Sequence, residues 1–269
     1  MADLRLGLLG WPLEWSLSPV IHEAFLRATG LSGTYSLIPL EPRSMEESLP
    51  RLFLEGWSGL NVTRPHKMEA ARLCARLDET AQAAGAVNTL VPESDGWAGY
   101  NTDTGGFIQV FEACGHRPPL LVAGAGGAAR ALASAARLMG IGCELFDRRG
   151  TGGLRPLSAM PRAIEEAGGG TIVNATPLGW SDDDPFPAPD ILPAGFSFID
   201  LNYNPGWNYA ARLRRAGCRV TTGERMLVAQ AALSFALWTG REVPVDCALE
   251  ALGRISGLQP GSRKGLEIS

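Results

Sequence analysis

The sequence predicts an α/β protein of two domains, an N-terminal α/β domain followed by a Rossmann-type, doubly wound domain. Three observations carry this. Short apolar runs alternate with segments of helical spacing along the chain. Near residue 104 the composition changes to strand, glycine loop and helix. The 269 residues, 45% of them hydrophobic, suffice for two cores.

In order, residues 5–9 are a short apolar run closed by Gly10 and read as a strand. Ser18 and Pro19 open a helix over 20–29, the serine suited to capping and the proline to the first helical turn. A second strand covers 34–40, and 44–54 has helical spacing with Glu46 and Glu47 in its first turn. A third strand, 59–62, leads into a polar turn ending at Lys67. Helical spacing covers 68–77 and 79–84, and 89–91 pairs with 97–100 around Glu93-Ser94-Asp95-Gly96. A linking helix spans 104–114. The continuous apolar run 120–123 is of the kind buried in a parallel sheet. An alanine-rich helix follows over 127–139, then strands at 143–146, 171–173, 196–199 and 219–221. From Glu224 the chain reads as helical, 226–238 and then 246–255, and 259–269 form a frayed polar end. The expected division is 1–103 plus 224–269 against 104–223, with a cleft between.

The net charge of -4 leaves no basic footprint for nucleic acid. No apolar run reaches membrane-spanning length, and the N-terminus lacks a signal-peptide layout. Cys74, Cys114, Cys143, Cys218 and Cys247 are odd in number and widely spaced, which argues against disulfides and zinc and for a reducing, cytoplasmic setting. His22 and His116 are isolated, so no metal is expected. Arg212, Arg214 and Arg215 read as a solvated helix face.

Gly124-Ala125-Gly126-Gly127-Ala128-Ala129 fits G-x-G-x-x-A between a predicted strand and a predicted helix. The first glycine permits the tight turn, the second lets backbone approach a pyrophosphate, and Ala129 permits close helix packing. The helix N-terminus adds free N–H groups for phosphate. The competing reading is a glycine turn that binds nothing. Roughly 20 residues on, where the ribose is read, stands Asp147, followed by Arg148-Arg149. Asp147 favours a free 2′-hydroxyl and hence NAD; two guanidiniums favour a 2′-phosphate and hence NADP. Spacing leaves both open.

Lys67 ends the polar turn Asn61-Val62-Thr63-Arg64-Pro65-His66-Lys67, and Asp103 ends Asn101-Thr102-Asp103. A lysine can give a proton to a developing alkoxide while an aspartate orients the hydroxyl and the lysine. An exposed lysine and a capping aspartate would explain either residue alone. Together, ahead of a nucleotide loop, they point to a small alcohol or ketone handled by a nicotinamide. Ser16 and Ser18 read either as a carboxylate site or as plain helix capping. His66 diverges from its neighbour Lys67. Trp180 and Trp207 follow glycines and read as packing residues or ligand covers.

Seven ordered segments resemble the shikimate/quinate dehydrogenase family. They are Ser16-Leu17-Ser18-Pro19, the lysine turn, Gly85-Ala86-Val87-Asn88-Thr89, Asn101-Thr102-Asp103, the glycine loop, Asn174-Ala175-Thr176-Pro177 and Met226-Leu227-Val228-Ala229-Gln230. The resemblance runs from about residue 6 to about residue 255. It implies NADPH-dependent, reversible reduction of 3-dehydroshikimate to shikimate in aromatic amino-acid and chorismate synthesis, by a monomer or homodimer. It implies Lys67 and Asp103 as the catalytic pair. Ser16 and Ser18 are implied for the substrate carboxylate, and Thr63, Asn88, Gln230 and Tyr203 for the rest of the substrate, with Asn61 and Asn101 in support. Gly124, Ala125, Gly126, Gly127, Ala128, Asp147, Arg148, Arg149, Asn174, Thr176, Gly223 and Met226 are implied around the cofactor. An NAD-linked quinate/shikimate dehydrogenase or a divergent paralogue stays within the same resemblance, and a dinucleotide sensor without turnover is the reading outside it.

The chain departs from the family pattern in five places. Asp147-Arg148-Arg149 replaces the usual Asn-Arg-Thr, and the charged helix expected before Asn174 reads as reduced or lost. Arg64 replaces an apolar residue, Thr104 replaces a common glycine, and Glu224-Arg225 stands where uncharged residues are usual.

Overall fold

The computed structural model describes residues 3–179, 184–203 and 208–256. Trp180, Trp207 and the polar end 259–269 lie outside the described residues.

The first half runs β1 (Leu4–Gly10), α1 (Ser18–Thr29), β2 (Gly33–Pro39), α2 (Met45–Leu54), β3 (Gly59–Val62), α3 (Lys67–Leu73), β4 (Arg76–Leu77), α4 (Glu79–Ala84), β5 (Thr89–Glu93) and β6 (Gly96–Tyr100). Its strands form one sheet ordered β2-β1-β3-β5-β6-β4, in which β5 runs antiparallel to both neighbours. The hairpin of β5 and β6 closes on the predicted turn residues. Ser18 does not cap α1: it is the first helical residue and is buried, and the side-chain acceptor for its N–H is Ser16 Oγ at 3.3 Å.

The expected helix over 68–77 is shorter. Cys74 turns extended after Leu73, and Arg76–Leu77 join β6 as an edge strand. Backbone N–H groups of Ala75 and Asp78 find carbonyls of Trp97 and Gly99, so sheet pairing overrides the helical propensity of this stretch.

The second half runs α5 (Thr102–Ala113), β7 (Leu120–Ala123), α6 (Gly127–Leu138), β8 (Cys143–Asp147), β9 (Arg155–Pro156), α7 (Met160–Ala167), β10 (Gly170–Asn174), β11 (Phe196–Asp200), α8 (Asn208–Arg215) and β12 (Arg219–Thr221). Its all-parallel sheet is ordered β12-β11-β10-β7-β8-β9. Order reverses between β7 and β10, the switch point at which doubly wound sheets bind nucleotides beyond the carboxyl ends of their strands. The helix expected to be reduced or lost before Asn174 is reduced: a three-residue 3-10 turn, Thr151–Gly153, follows β8, and the helix between β9 and β10 is the short α7, which buries Met160, Ala163 and Ile164. It has eight residues, too few for its periodicity to stand out in sequence, and Pro161 sits in its first turn rather than breaking it.

Two closing helices, α9 (Gly223–Thr239) and α10 (Val245–Ser256), return to the first sheet. Val228, Ala231 and Phe235 of α9 and Ala248 and Leu252 of α10 share a core with α1, β1 and β2. Met226, at the start of α9, packs instead with β7, α6 and α5. One helix thus ties the two sheets together. It crosses α5 at Gly106, where an added Cβ would lie 2.8 Å from the Gln230 backbone nitrogen. Gly106→Ala is expected to lower stability by about 1–3 kcal/mol through this overpacking, measured by urea unfolding. Stability equal to wild type would show that the crossing yields.

All five cysteines are free and half-buried. Burial pushes the thiols of Cys74 and Cys143 up, to about 12 and about 11, so neither is an activated nucleophile.

Candidate active site

Lys67 is the first residue of α3. The turn before it is closed by the His66 N–H on the Thr63 carbonyl, and the buried His66 ring holds the Leu40 carbonyl at 2.6 Å through Nε2. That anchoring turns the lysine towards Asp103, in the first turn of α5 rather than in a free turn before it. Lys67 Nζ lies 2.5 Å from Asp103 Oδ2, with both side chains largely buried. The lysine stem also crosses to the second sheet: an added Cβ at Gly127 would meet Lys67 Cδ at 3.1 Å. The amine and the glycine loop are therefore neighbours.

Behind this pair runs a buried polar network. Asn88 Nδ2 donates to Asp103 Oδ1 at 2.9 Å, to Thr102 Oγ1 at 2.9 Å and to Gln230 Oε1 at 3.2 Å. Asn88 Oδ1 accepts from the Thr102 N–H at 2.8 Å, which fixes the amide orientation. Asn61 Nδ2 donates to the Asn88 carbonyl, Thr89 Oγ1 and Ser234 Oγ, while Tyr35 donates to Asn61 Oδ1 at 2.8 Å. Asn101 turns inward: its Oδ1 caps α5 at the Thr104 N–H and its Nδ2 donates to the Ala86 carbonyl. Tyr35, Thr89, Thr102 and Ser234 escaped the sequence reading. One signal was legible: Ser234 stands four residues after Gln230, on the same helix face.

His22 is buried beneath the network, stacked on Tyr35 at 4.2 Å between ring centroids; burial pushes its pKa down to about 3. His116 lies in the other half, bracketed by the hydroxyls of Ser197 and Thr221. Among the described residues no cluster of His, Cys, Asp or Glu could hold a metal.

Arg64 and Glu224 meet a common neighbour in the half-buried Tyr203. Burial pushes the phenol pKa up, the Arg64 charge opposes that, and the Glu224 charge adds to it. Glu224 also raises Asp200, at the end of β11, whose carboxyl burial pushes up to about 7 against hydrogen bonds from Asn202. Asp200 thus folds more readily protonated. The stability this confers is complete below its unfolded range near pH 4 and is lost as pH rises through about 7. Asp200→Asn keeps an oxygen for Asn202 and does not ionise. Its unfolding free energy relative to wild type is expected to rise between pH 5 and pH 8, by at most on the order of 4 kcal/mol. Urea unfolding at both pH values checks this, and a flat or falling difference would refute it.

At the switch point Gly124 has φ +127° and approaches the Ala175 carbonyl oxygen so closely that an added Cβ would lie 2.9 Å from it. Ala125 links Gly124 to Gly126, which precedes α6; Gly127 and Ala128 form its first turn, and no side chain caps its N–H groups. Asn174 Oδ1 accepts from the N–H and hydroxyl of Thr176, shaping the facing loop. Gly223 is buried against Leu201 and Asn202, where a Cβ would meet backbone oxygens.

Asp147 ends β8 with its carboxylate turned onto its own loop. It accepts from the N–H groups of Arg149, Gly150 and Thr151 and from the Thr151 hydroxyl. These bonds, the Thr151 hydroxyl foremost, hold its pKa down. The exposed side chains of Arg148 and Arg149 flank it. Ser16 and Thr63 are half-buried on loops at the ends of β1 and β3.

Residues 8–90 match the shikimate dehydrogenase substrate binding domain, and residues 223–252 match the shikimate 5'-dehydrogenase C-terminal domain. A shikimate dehydrogenase (NADP(+)) of Anaeromyxobacter sp. is 37% identical over 92% of this chain and 96% of its own. That of Rubrobacter xylanophilus is 39% identical over 91% and 94%. The chain belongs to the shikimate dehydrogenase family. The shikimate 5-dehydrogenase of Thermus thermophilus, solved with NADP(H) and shikimate, is similar with a TM-score of 0.82 and 33% identity, covering 93% of this chain and 99% of that one. The resemblance read from the seven segments, and the α/β fold it implied, are borne out. Arg64, Thr104 and Glu224-Arg225 are departures within the family rather than signs of another one.

Proposed function

We propose that this chain is an NADP-dependent shikimate dehydrogenase that reversibly reduces 3-dehydroshikimate to shikimate, a step of chorismate and aromatic amino-acid synthesis. The observation that carries the reading is the Lys67–Asp103 pair at 2.5 Å, with the lysine stem against Gly127 of the glycine loop. The shikimate dehydrogenase (NADP(+)) relatives and the neighbour solved with NADP(H) and shikimate support it.

The division we assign is 1–103 with 224–269 for the substrate half and 104–223 for the nucleotide half. NADPH, when bound, supplies the hydride. This chain has what that cofactor needs: a glycine turn open to close approach, the uncapped start of α6, and two exposed guanidiniums beside an aspartate already satisfied by its loop. Asp147 then acts as the loop's staple, leaving Arg148 and Arg149 to hold a 2′-phosphate. That favours NADP over NAD. Gly124 to Ala128 would receive the pyrophosphate, Asn174 and Thr176 shape the facing loop, and Gly223 and Met226 would border the nicotinamide.

Lys67 gives its proton to the C3 oxygen as the carbonyl is reduced and takes it back in oxidation. Asp103 orients both the hydroxyl and the ammonium. Asn88 and Gln230 present polar groups to the substrate hydroxyls, with Thr63 and Tyr203 beside them, while Ser16 and Ser18 hold its carboxylate. Asn61 and Asn101 keep the scaffold. The enzyme acts as a monomer or homodimer in the cytoplasm, a setting its five free thiols fit.

Initial rates with NADP or NAD against shikimate or quinate test this. NADP with shikimate is expected to be the fastest pair. No enzyme-dependent rise in nicotinamide absorbance with any pair would reduce the chain to a binding protein, and a faster rate with NAD or quinate would overturn the stated specificity.

A further inference from the structure

One hydroxyl that the proposed chemistry does not use sits at the centre of the buried network. Ser234 lies one turn after Gln230 in α9 and is fully buried. Its Oγ donates to the Gln230 carbonyl at 3.0 Å, the back-bond to residue i−4 open to a helical serine. Asn61 Nδ2 donates to it at 3.0 Å, and the hydroxyls of Thr89 and Thr102 stand 2.8 and 3.0 Å away.

The direction of these bonds follows from their partners. A hydroxyl has one proton and two lone pairs. The Gln230 carbonyl can only accept and Asn61 Nδ2 can only donate, so the serine proton goes to the carbonyl and a lone pair receives the amide. The remaining lone pair takes a threonine proton. Thr102 Oγ1 already accepts from Asn88 Nδ2 at 2.9 Å, so its own proton points away from that nitrogen and is shared between Ser234 Oγ at 3.0 Å and Asn88 Oδ1 at 3.2 Å. The second Nδ2 proton of Asn88 then goes to Asp103 Oδ1 at 2.9 Å, with Gln230 Oε1 at 3.2 Å as its longer, secondary acceptor. Ser234 thereby orders a chain that runs from a helix carbonyl through Thr102 and Asn88 to the carboxylate facing Lys67.

We infer that Ser234 is a positioning residue for the Lys67–Asp103 pair, acting through Thr102 and Asn88. What the pair does rests on the function proposed above; its placement by Ser234 does not. Without the serine hydroxyl, the Thr102 proton, otherwise shared, goes wholly to Asn88 Oδ1, 3.2 Å away, and Asn61 loses an acceptor. Asn88 is then free to leave Asp103 Oδ1, and the carboxylate swings relative to the amine. A serine kept only for packing would show none of this.

The chain offers a direct probe. It contains two lysines, Lys67 and Lys264, so reductive methylation with ¹³C-formaldehyde labels two side chains beside the amino terminus. Lys67→Arg assigns the Lys67 resonance by its loss. In Ser234→Ala, and in Ser234→Cys, which keeps the volume if the alanine variant folds poorly, this resonance is expected to shift or broaden. For shikimate oxidation kcat is expected to fall about tenfold while KM rises no more than about threefold, the size of effect of one lost buried hydrogen bond. A Lys67 resonance at its wild-type position in both variants overturns the proposal whatever the turnover. A kcat within about twofold of wild type in both, in an active enzyme, overturns it equally, because a lost bond of this kind is worth about 1 kcal/mol. A wild-type chain that does not oxidise shikimate overturns the proposed function instead, and the resonance alone then decides the role of Ser234.

Discussion

Replacing Lys67 by alanine is expected to lower kcat for shikimate oxidation by about 10²–10⁴-fold, the usual worth of a positioned proton-transfer group. KM for shikimate should change little, because the hydroxyl and carboxylate contacts proposed for binding come from other residues. The expectation rests on two contacts of one side chain: Nζ at 2.5 Å from Asp103 and the stem against Gly127. The amine is thus held by α5 at its tip and by the start of α6 along its stem. The alanine variant removes the proton and leaves Asp103 with its bond from Asn88. Circular dichroism would confirm that the variant is folded, and steady-state kinetics in both directions would read the effect. Turnover near wild type would remove Lys67 from the mechanism.

Replacing Arg148 and Arg149 together by serine is expected to raise KM for NADP by about 100-fold and leave that for NAD within about twofold. A hydrogen bond to a charged group is worth about 1.5–3 kcal/mol, and the exposure of both guanidiniums places this pair at the low end once solvent screening is counted. The NADP advantage of wild type should also shrink as salt rises, with a screening length of about 8 Å at physiological ionic strength. Initial rates over a range of each cofactor measure both effects. An unchanged preference would move 2′-phosphate recognition away from β8. The loop itself should survive, since Asp147 is bonded to the backbone of residues 149–151 rather than to either arginine side chain.

Much of the fold was legible because its signals are local. The run 120–123, the glycine loop and the alanine-rich helix after it each carry their own pattern, and all three are where that pattern puts them. Where the reading failed, a longer-range force won or the signal was too short. Arg76–Leu77 left a helical pattern to pair with β6, and α7 held too few residues to show a period. The candidate site divided the same way. Lys67 and Asp103 announced themselves as charged residues in polar turns. Thr89 and Thr102 stood inside quoted motifs yet carried no separate signal, and Ser234 looked like any serine in an apolar helix.

By itself, then, the sequence determined most of the order of elements and the glycine loop, and it supplied the lysine and aspartate proposed as the reactive pair, since turn chemistry and hydrophobic period depend on near neighbours. The tertiary structure decided two things it could not. It turned Asp147 onto its own loop, which supports the proposal that the two arginines, rather than the aspartate, meet the cofactor ribose. It also brought Asn61 to Ser234 and Asn88 to Gln230 across 173 and 142 residues of chain. Hydrogen-bond direction in a buried network depends on every partner present, and those partners meet only when the first sheet and α5 close around α9.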